Sequence, residues 1–335
     1  MIKTAVIGGG AWGTALAHIL GEAGHNVEIW ARETEVVESI NSLSENTLFL
    51  NGLKINSSIH GNPCLNSVLQ NAEIIVNTVP TQFIRSVWSS ITPTTISDSK
   101  IIINASKGIE EGSLKLISQI FEELFPGIVD ENFAVLSGPS FAEEVVRGYP
   151  TSVSIASMSS NLSEKLAKLF HLNYFRLYSS SDIIGVQLGG ALKNVMAIAA
   201  GAIDGMGLGL NTRAAMITRG LSEIARLGLE MGASGPTFSG LSGLGDLILT
   251  CTGNLSRNRQ VGYRLGKGEP VKSILSGMTQ VAEGVATSRS TFELSKLYDT
   301  DMPITGAVYS GIFQEEKAEN ALKDILAREL KHDGI

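Results

Sequence analysis

The chain of 335 residues carries only two cysteines, Cys64 and Cys251, and neither lies in a CxxC pair. That count excludes a disulfide framework and a cysteine-rich zinc site. The five histidines (His18, His25, His60, His171 and His332) follow no metal-ligand spacing and no triad context, so no metal centre is expected. An excess of positive charge is also missing: 26 Lys+Arg stand against 33 Asp+Glu, a net charge of −7. Binding to nucleic acid or to an acidic membrane surface needs a basic face, so neither is expected as a partner; a small anionic ligand needs only two or three local cations. No segment reads as a membrane span, because the most apolar stretch, residues 186–203, has Lys193 and Asn194 at its middle and is dotted with glycine. The opening MIKTAVIGGGAWGTALAHIL faintly mimics a signal peptide, but its glycine cluster fits a strand and turn better and nothing resembles a cleavage site. With 43% hydrophobic and 18% charged residues, a folded cytoplasmic protein is expected, and the length suits two domains or one large one.

What the chain does have is an alternation of short apolar runs and helical patterns. Residues 4–7, 26–30, 74–78, 100–103, 133–136, 152–155 and 174–177 read as strands. Residues 11–22, 33–42, 82–90, 114–124, 141–146 and 162–170 read as helices. Strands separated by helices usually pair in parallel, because each crossover returns the chain to the same edge. The expected fold is α/β, an N-terminal Rossmann-type doubly wound sheet with ligands at the carboxyl ends of its strands. Beyond about residue 180 the strand-like runs stop, and 182–202, 214–229, 281–298 and 318–330 read as helices. Residues 185–253 hold 15 of the 36 glycines, a density that suits close helix contacts and tight turns. These patterns predict a dinucleotide-binding domain over 1–185 and an all-helical C-terminal domain for substrate and catalysis over 186–335.

Gly8-Gly9-Gly10-Ala11-Trp12-Gly13 satisfies GxGxxG between a strand and a helix. The first glycine permits the turn, the second lets the backbone approach a pyrophosphate, and the third packs helix on strand. At the end of the second strand, where a carboxylate would bind the ribose of NAD, stands Arg32. Its guanidinium can pair with the 2′-phosphate of NADP, although Glu33 can still reach a ribose and a solvated charge is the blander account. NADP is the expected cofactor and NAD stays open.

Further clusters stand out. In Ser106-Lys107-Gly108 the lysine follows a strand, where the nicotinamide is expected. After Ser137-Gly138-Pro139, Ser140 and Glu143 have the spacing of a capping box. Lys193, in Gly189-Gly190-Ala191-Leu192-Lys193-Asn194, sits inside an apolar helix. Desolvating an ammonium is costly, so a buried lysine near other cations has a depressed pKa and exchanges protons near neutrality; a lysine snorkelling to solvent is the alternative. Asp246, in Gly243-Leu244-Gly245-Asp246-Leu247, can orient Lys193 or cap a helix. Ser256 reads as an N-cap, with Arg257 and Asn258 as donors for a phosphate or as part of a solvated basic turn. Cys251 reads as inert.

Taken in order, these motifs resemble the bacterial NAD(P)-dependent glycerol-3-phosphate dehydrogenase family over essentially the whole chain, together with Thr14-Ala15-Leu16-Ala17, Phe141-Ala142, Gly185-Val186-Gln187-Leu188, Arg259 and Gln280-Val281-Ala282-Glu283-Gly284. The resemblance implies Lys193 as general acid/base at the substrate C2 oxygen. It implies Lys107, Gly138, Ser140, Asp246, Ser256, Arg257 and Asn258 as substrate-binding residues. Gly8, Gly10, Ala11, Trp12, Gly13, Arg32, Ala142, Val281 and Glu283 would touch the cofactor, as would Lys107 and Arg257. Some relatives carry Ser where Ala11 stands, so one hydroxyl-to-phosphate bond is absent here. The implied reaction is hydride transfer from NAD(P)H to dihydroxyacetone phosphate, giving sn-glycerol 3-phosphate for glycerophospholipid synthesis. A 6-phosphogluconate or β-hydroxyacid type dehydrogenase is the alternative enzyme, and a nucleotide sensor without turnover the non-enzymatic one; a sensor needs no proton donor. Apolar helix faces make a homodimer a base-rate expectation.

Overall fold

A computed structural model describes residues 1–96, 99–278 and 281–327. Gln280, His332 and the end of the expected helix 318–330 lie outside the described residues. Packing divides the described residues into two units, 1–106 with 117–183, and 107–116 with those from Ile184 onward.

The first unit is built on eight strands: β1 Lys3–Ile7, β2 Asn26–Trp30, β3 Ile59–Asn62, β4 Ile74–Asn77, β5 Ile101–Asn104, β6 Phe133–Ser137, β7 Thr151–Ala156 and β8 Phe175–Ser180. They lie in the order β3-β2-β1-β4-β5-β6-β7-β8. From β3 to β6 all neighbours are parallel, which is the doubly wound order with its switch point between β1 and β4. The central strands are continuous apolar runs because helices cover both faces, and Val6, Val76 and Ile103 pack with Leu16, Leu20 and Ile40 in the core.

Three features differ from expectation. Parallel pairing stops at β6, where β7 runs antiparallel before β8 resumes parallel to β7. The link between β6 and β7 contains only the five-residue helix Ala142–Val146, and the chain re-enters the sheet from the end at which β6 leaves it. Strand β3 was not visible in sequence, because Ile-His-Gly-Asn has no apolar run. The expected helix 114–124 begins only at Ile117, since Leu114 has a left-handed φ of +59° and residues 107–116 belong to the second unit.

The second unit is helical. Its central helix, Ile183–Met206, is by length and composition apolar enough to cross a membrane, but 89% of its apolar window is buried inside the protein. A Cβ on Gly201 would lie 2.0 Å from Arg259 O, and one on Gly262 1.9 Å from Ile198 O. The helix Arg257–Gly266 therefore meets the central helix backbone to backbone, which accounts for part of the glycine density. Nearby, the buried Glu223 on helix Gly209–Glu230 accepts from the N–H groups of Ile304 (2.7 Å) and Thr305 (3.1 Å) at the start of helix Pro303–Phe313.

Burial pushes the Glu223 carboxyl from 4.5 to about 7 against those hydrogen bonds. Between these values the folded chain holds a proton that the unfolded chain releases, so this group's contribution to stability falls as pH rises from about 5 to 7. Glu223→Gln is expected to gain up to about 3 kcal/mol relative to wild type between pH 5 and pH 8 in urea unfolding. Identical pH slopes for the two proteins would exclude a titrating Glu223.

Candidate active site

In the first unit the chain turns from β1 through residues 8–10 into helix Ala11–Glu22. A Cβ on Gly13 would lie 2.0 Å from Gly8 O, so only glycine lets the helix rest on the turn. Gly10 differs. Its φ of −71° suits any residue, and an added Cβ would meet no atom within 4 Å. Packing of the protein itself does not require glycine at that point; a side chain would fill the space before a helix N-terminus that no side chain caps. Close backbone approach and free N–H groups are what a dinucleotide pyrophosphate needs, and the turn fits one.

Ala11 and Trp12 open that helix, and Trp12 Nε1 donates to Ala105 O at 3.2 Å. Arg32, past the end of β2, has an exposed side chain whose Nη2 donates to Glu33 at 3.0 Å. Beyond β6, Gly138 takes a φ of +152° and a Cβ there would lie 2.8 Å from Val153 Cα. The expected capping box does not form. Helix Ala142–Val146 starts two residues beyond Ser140, with Phe141 in the N-cap position; Ser140 Oγ donates to Gly138 O at 3.0 Å, and Glu143 pairs with Arg147 at 2.9 Å. The turn through Gly138 and Pro139 delays the helix, leaving Ser140 outside the capping position.

The second unit gathers the titratable groups. Lys107, just past β5, is tied there by Ile109 and Leu116 in its apolar core and by Ser290 Oγ on Ile109 O at 3.3 Å. Lys193 lies on the central helix, 8% exposed. Asp246, wholly buried, opens helix Asp246–Thr252 directly after the π-helical turn Leu241–Gly245, an irregularity frequent at functional sites. A Cβ on Gly189 would lie 2.4 Å from Ser242 O, so glycine lets that turn lie against the helix bearing Lys193.

Asp246 bridges the two lysines. Its Oδ2 accepts from Lys107 Nζ at 2.6 Å and its Oδ1 from Lys193 Nζ. Thr250, one helical turn on, donates to Asp246 O at 2.6 Å and reaches Oδ1 at 3.3 Å. Burial lowers Lys193 from 10.5 to about 7; Asp246 opposes that shift and Lys107 adds to it. Two ammoniums share one carboxylate in a low dielectric, an arrangement that stabilises a developing oxyanion and passes a proton near neutrality.

Ser256 caps helix Arg257–Gly266 by accepting from Arg259 N at 3.2 Å. Arg259 is engaged with Asp204 through Nη2 at 2.7 Å and Nε at 3.0 Å. Arg257 stands at the surface, and the packing around its guanidinium lowers its pKa against the pull of Glu283. Asn258 donates Nδ2 to Asn194 Oδ1 at 2.9 Å and accepts from Gly284 N at 3.0 Å. It thus ties together the three helices that carry Lys193, Arg257 and Glu283. Val281 is exposed and Glu283 begins helix Glu283–Leu297. Burial pushes the Cys251 thiol up to about 12, so the thiolate is absent at neutral pH. Among the described residues no group of three or more His, Cys, Asp or Glu is placed to hold a metal.

The first unit therefore holds Gly8, Gly10, Ala11, Trp12, Gly13, Arg32, Gly138, Ser140 and Ala142, and the second holds Lys107, Lys193, Asp246, Ser256, Arg257, Asn258, Val281 and Glu283. Sequence reasoning missed Thr250 and Asn194. Thr250 was findable from its i+4 spacing to Asp246; nothing in sequence pairs Asn194 with Asn258.

Residues 3–163 match the family model described as NAD-dependent glycerol-3-phosphate dehydrogenase N-terminus, and residues 182–323 the corresponding C-terminus. The chain belongs to the NAD-dependent glycerol-3-phosphate dehydrogenase family. Glycerol-3-phosphate dehydrogenase [NAD(P)+] of Geobacter sp. (strain M21) is 45% identical over 99% of both chains. The Bacillus subtilis (strain 168) enzyme of that name is 45% identical over 99% of this chain and 96% of its own. The crystal structure of glycerol-3-phosphate dehydrogenase from Coxiella burnetii superposes with a TM-score of 0.91 at 34% identity, covering 98% of this chain and 99% of that one. D-mandelate dehydrogenase, at a TM-score of 0.61 and 14% identity over 94% of this chain and 98% of its own, shares the fold alone.

Proposed function

We propose that this glycerol-3-phosphate dehydrogenase family member reduces dihydroxyacetone phosphate reversibly to sn-glycerol 3-phosphate with NADPH or NADH, feeding glycerophospholipid synthesis. The observation that carries the reading is the buried Asp246 with Lys107 and Lys193 on its two oxygens. The nicotinamide, when bound, supplies the hydride for C2. Lys193 gives its proton to the C2 oxygen, and its value near 7 suits transfer in both directions. Lys107 holds and polarises that oxygen, and Asp246 orients both ammoniums. Ser256, Arg257 and Asn258 bind substrate and fix the carbonyl for reaction; Gly138 and Ser140 are the other proposed substrate contacts. Gly8, Gly10, Ala11, Trp12, Gly13, Ala142, Val281 and Glu283 hold the cofactor, with Lys107 and Arg257 also reaching it.

Residues 1–185 would act mainly on the dinucleotide and the helical remainder, with the 107–116 excursion, on the substrate. A cytoplasmic homodimer is the assembly we favour. Purified protein mixed with dihydroxyacetone phosphate and either NADPH or NADH should lose absorbance at the nicotinamide band. No oxidation in a protein that binds cofactor would overturn the substrate, and turnover of a hydroxy acid instead would favour the β-hydroxyacid class.

Preference for NADP rests on Arg32, exposed and with Nη2 alone engaged by Glu33. Arg32→Ala is expected to raise the KM for NADPH about tenfold, the loss of one charge-assisted contact, and to leave NADH within about twofold. Equal losses for both cofactors would count against a 2′-phosphate contact.

A further inference from the structure

Two side chains outside every motif brace the glycine turn from within. Asn46, fully buried and 37 residues from Gly9, donates Nδ2 to Gly9 O at 2.8 Å and to Thr14 Oγ1 at 2.7 Å. Its Oδ1 accepts from Phe49 N at 3.1 Å, so the amide is anchored at both ends. Thr78, just past β4, places its hydroxyl 2.9 Å from Gly8 O and 3.0 Å from Ile7 O. Its own N–H donates to Ile7 O at 2.9 Å, which fixes it to the end of β1.

A trans peptide is planar, with C=O and N–H pointing in opposite directions. Holding the Gly8 carbonyl against Thr78 turns the Gly9 N–H to the other side, and holding the Gly9 carbonyl against Asn46 does the same to the Gly10 N–H. The Gly10 carbonyl is already committed to Thr14 N at 3.0 Å. No described residue accepts from the Gly9 or Gly10 N–H, and the space around Gly10 is where an added Cβ meets nothing. Two successive N–H groups that no described residue engages, beside the open space at Gly10, are suited to receive an anion. Consecutive glycines hold such an arrangement poorly by themselves, because each samples many backbone conformations. Ordering them before binding removes that cost from the binding step.

We propose that Asn46 and Thr78 are positioning residues of the dinucleotide site, orienting the two peptide groups that receive the pyrophosphate and setting cofactor affinity without touching the cofactor. The inference rests on the reading of this turn as the pyrophosphate site.

The test is a fluorescence titration of the full chain with NADPH and with NADH, beside a melting curve without ligand. Asn46→Ala, which strips the donor from Gly9 O, is expected to weaken both cofactors about 10- to 30-fold, and Thr78→Val about 3- to 10-fold. Thr78→Ser, which keeps the hydroxyl, should bind within about twofold of wild type. The KM for NADPH should rise in step while that for dihydroxyacetone phosphate stays in place, a split that a general loss of stability does not produce. Thr78→Val and a folded Asn46→Ala that bind NADPH as wild type does would overturn the proposal, as would Thr78→Ser behaving like Thr78→Val. If Asn46→Ala does not fold, the two Thr78 variants decide. Wild-type protein that binds neither cofactor would instead remove the reading of the turn, and this inference with it.

Discussion

Lys193→Met is expected to lower kcat/KM for dihydroxyacetone phosphate reduction by about 10⁴ at pH 7 while NADPH still binds. Methionine keeps the length and apolar stem of the side chain and removes only the ammonium. Asp246 retains Lys107 as its countercharge at 2.6 Å, so no carboxylate is left buried and unpaired. The loss combines the proton donor with one of two charges facing the developing oxyanion, each worth roughly 10² to 10⁴. In the wild-type enzyme the sign of the pH dependence follows from the lysine's value near 7. Reduction needs the ammonium, so its rate falls as pH rises through about 7, whereas oxidation of glycerol 3-phosphate needs the free amine and rises over the same range. Steady-state rates in both directions between pH 5.5 and 9 check this (the window is set by about two units around the lysine's value). A Lys193→Met enzyme within tenfold of wild type would remove Lys193 as the donor.

Asp246→Asn is expected to lower turnover by about 10³ and to destabilise the fold by roughly 3 kcal/mol, the range for removing one partner of a buried ion cluster. The substitution is nearly isosteric, so packing around the fully buried side chain survives. What changes is charge: two neighbouring ammoniums lose the carboxylate they share, and the remaining influences on Lys193, burial and Lys107, both depress its pKa. The amine is then neutral at pH 7, and activity for reduction moves to more acidic pH. Urea unfolding and the pH-rate profile read the two effects separately. Reduced turnover with an unmoved profile would show that Asp246 acts on substrate alone and not through Lys193.

Sequence by itself determined whatever depends on neighbours in the chain. The glycine turn, the Ser256 cap and the helical setting of Lys193 were legible because each is written within about a dozen residues, by backbone conformation or by periodicity. The continuous apolar runs of β4 and β5 marked a sheet covered on both faces. The family itself was legible from the order of its motifs, since Lys193 and the Ser-Arg-Asn turn need not align with a glycine fingerprint by chance.

Tertiary structure alone decided the rest. Lys107 meets Asp246 across 139 residues and Lys193 meets it across 53, and no local pattern states that one carboxylate serves both. The capping box at Ser140 had the right spacing and failed, because Gly138 and Pro139 set where the helix can begin. Strand β7 pairs antiparallel to β6, a direction that no local pattern in 151–156 states. Asn46 looked like any loop asparagine until folding buried it under Gly9. The physical reason is common to these cases: a side chain's partner, and with it the energetic value of its charge or hydrogen bond, is set by which distant segment excludes water around it.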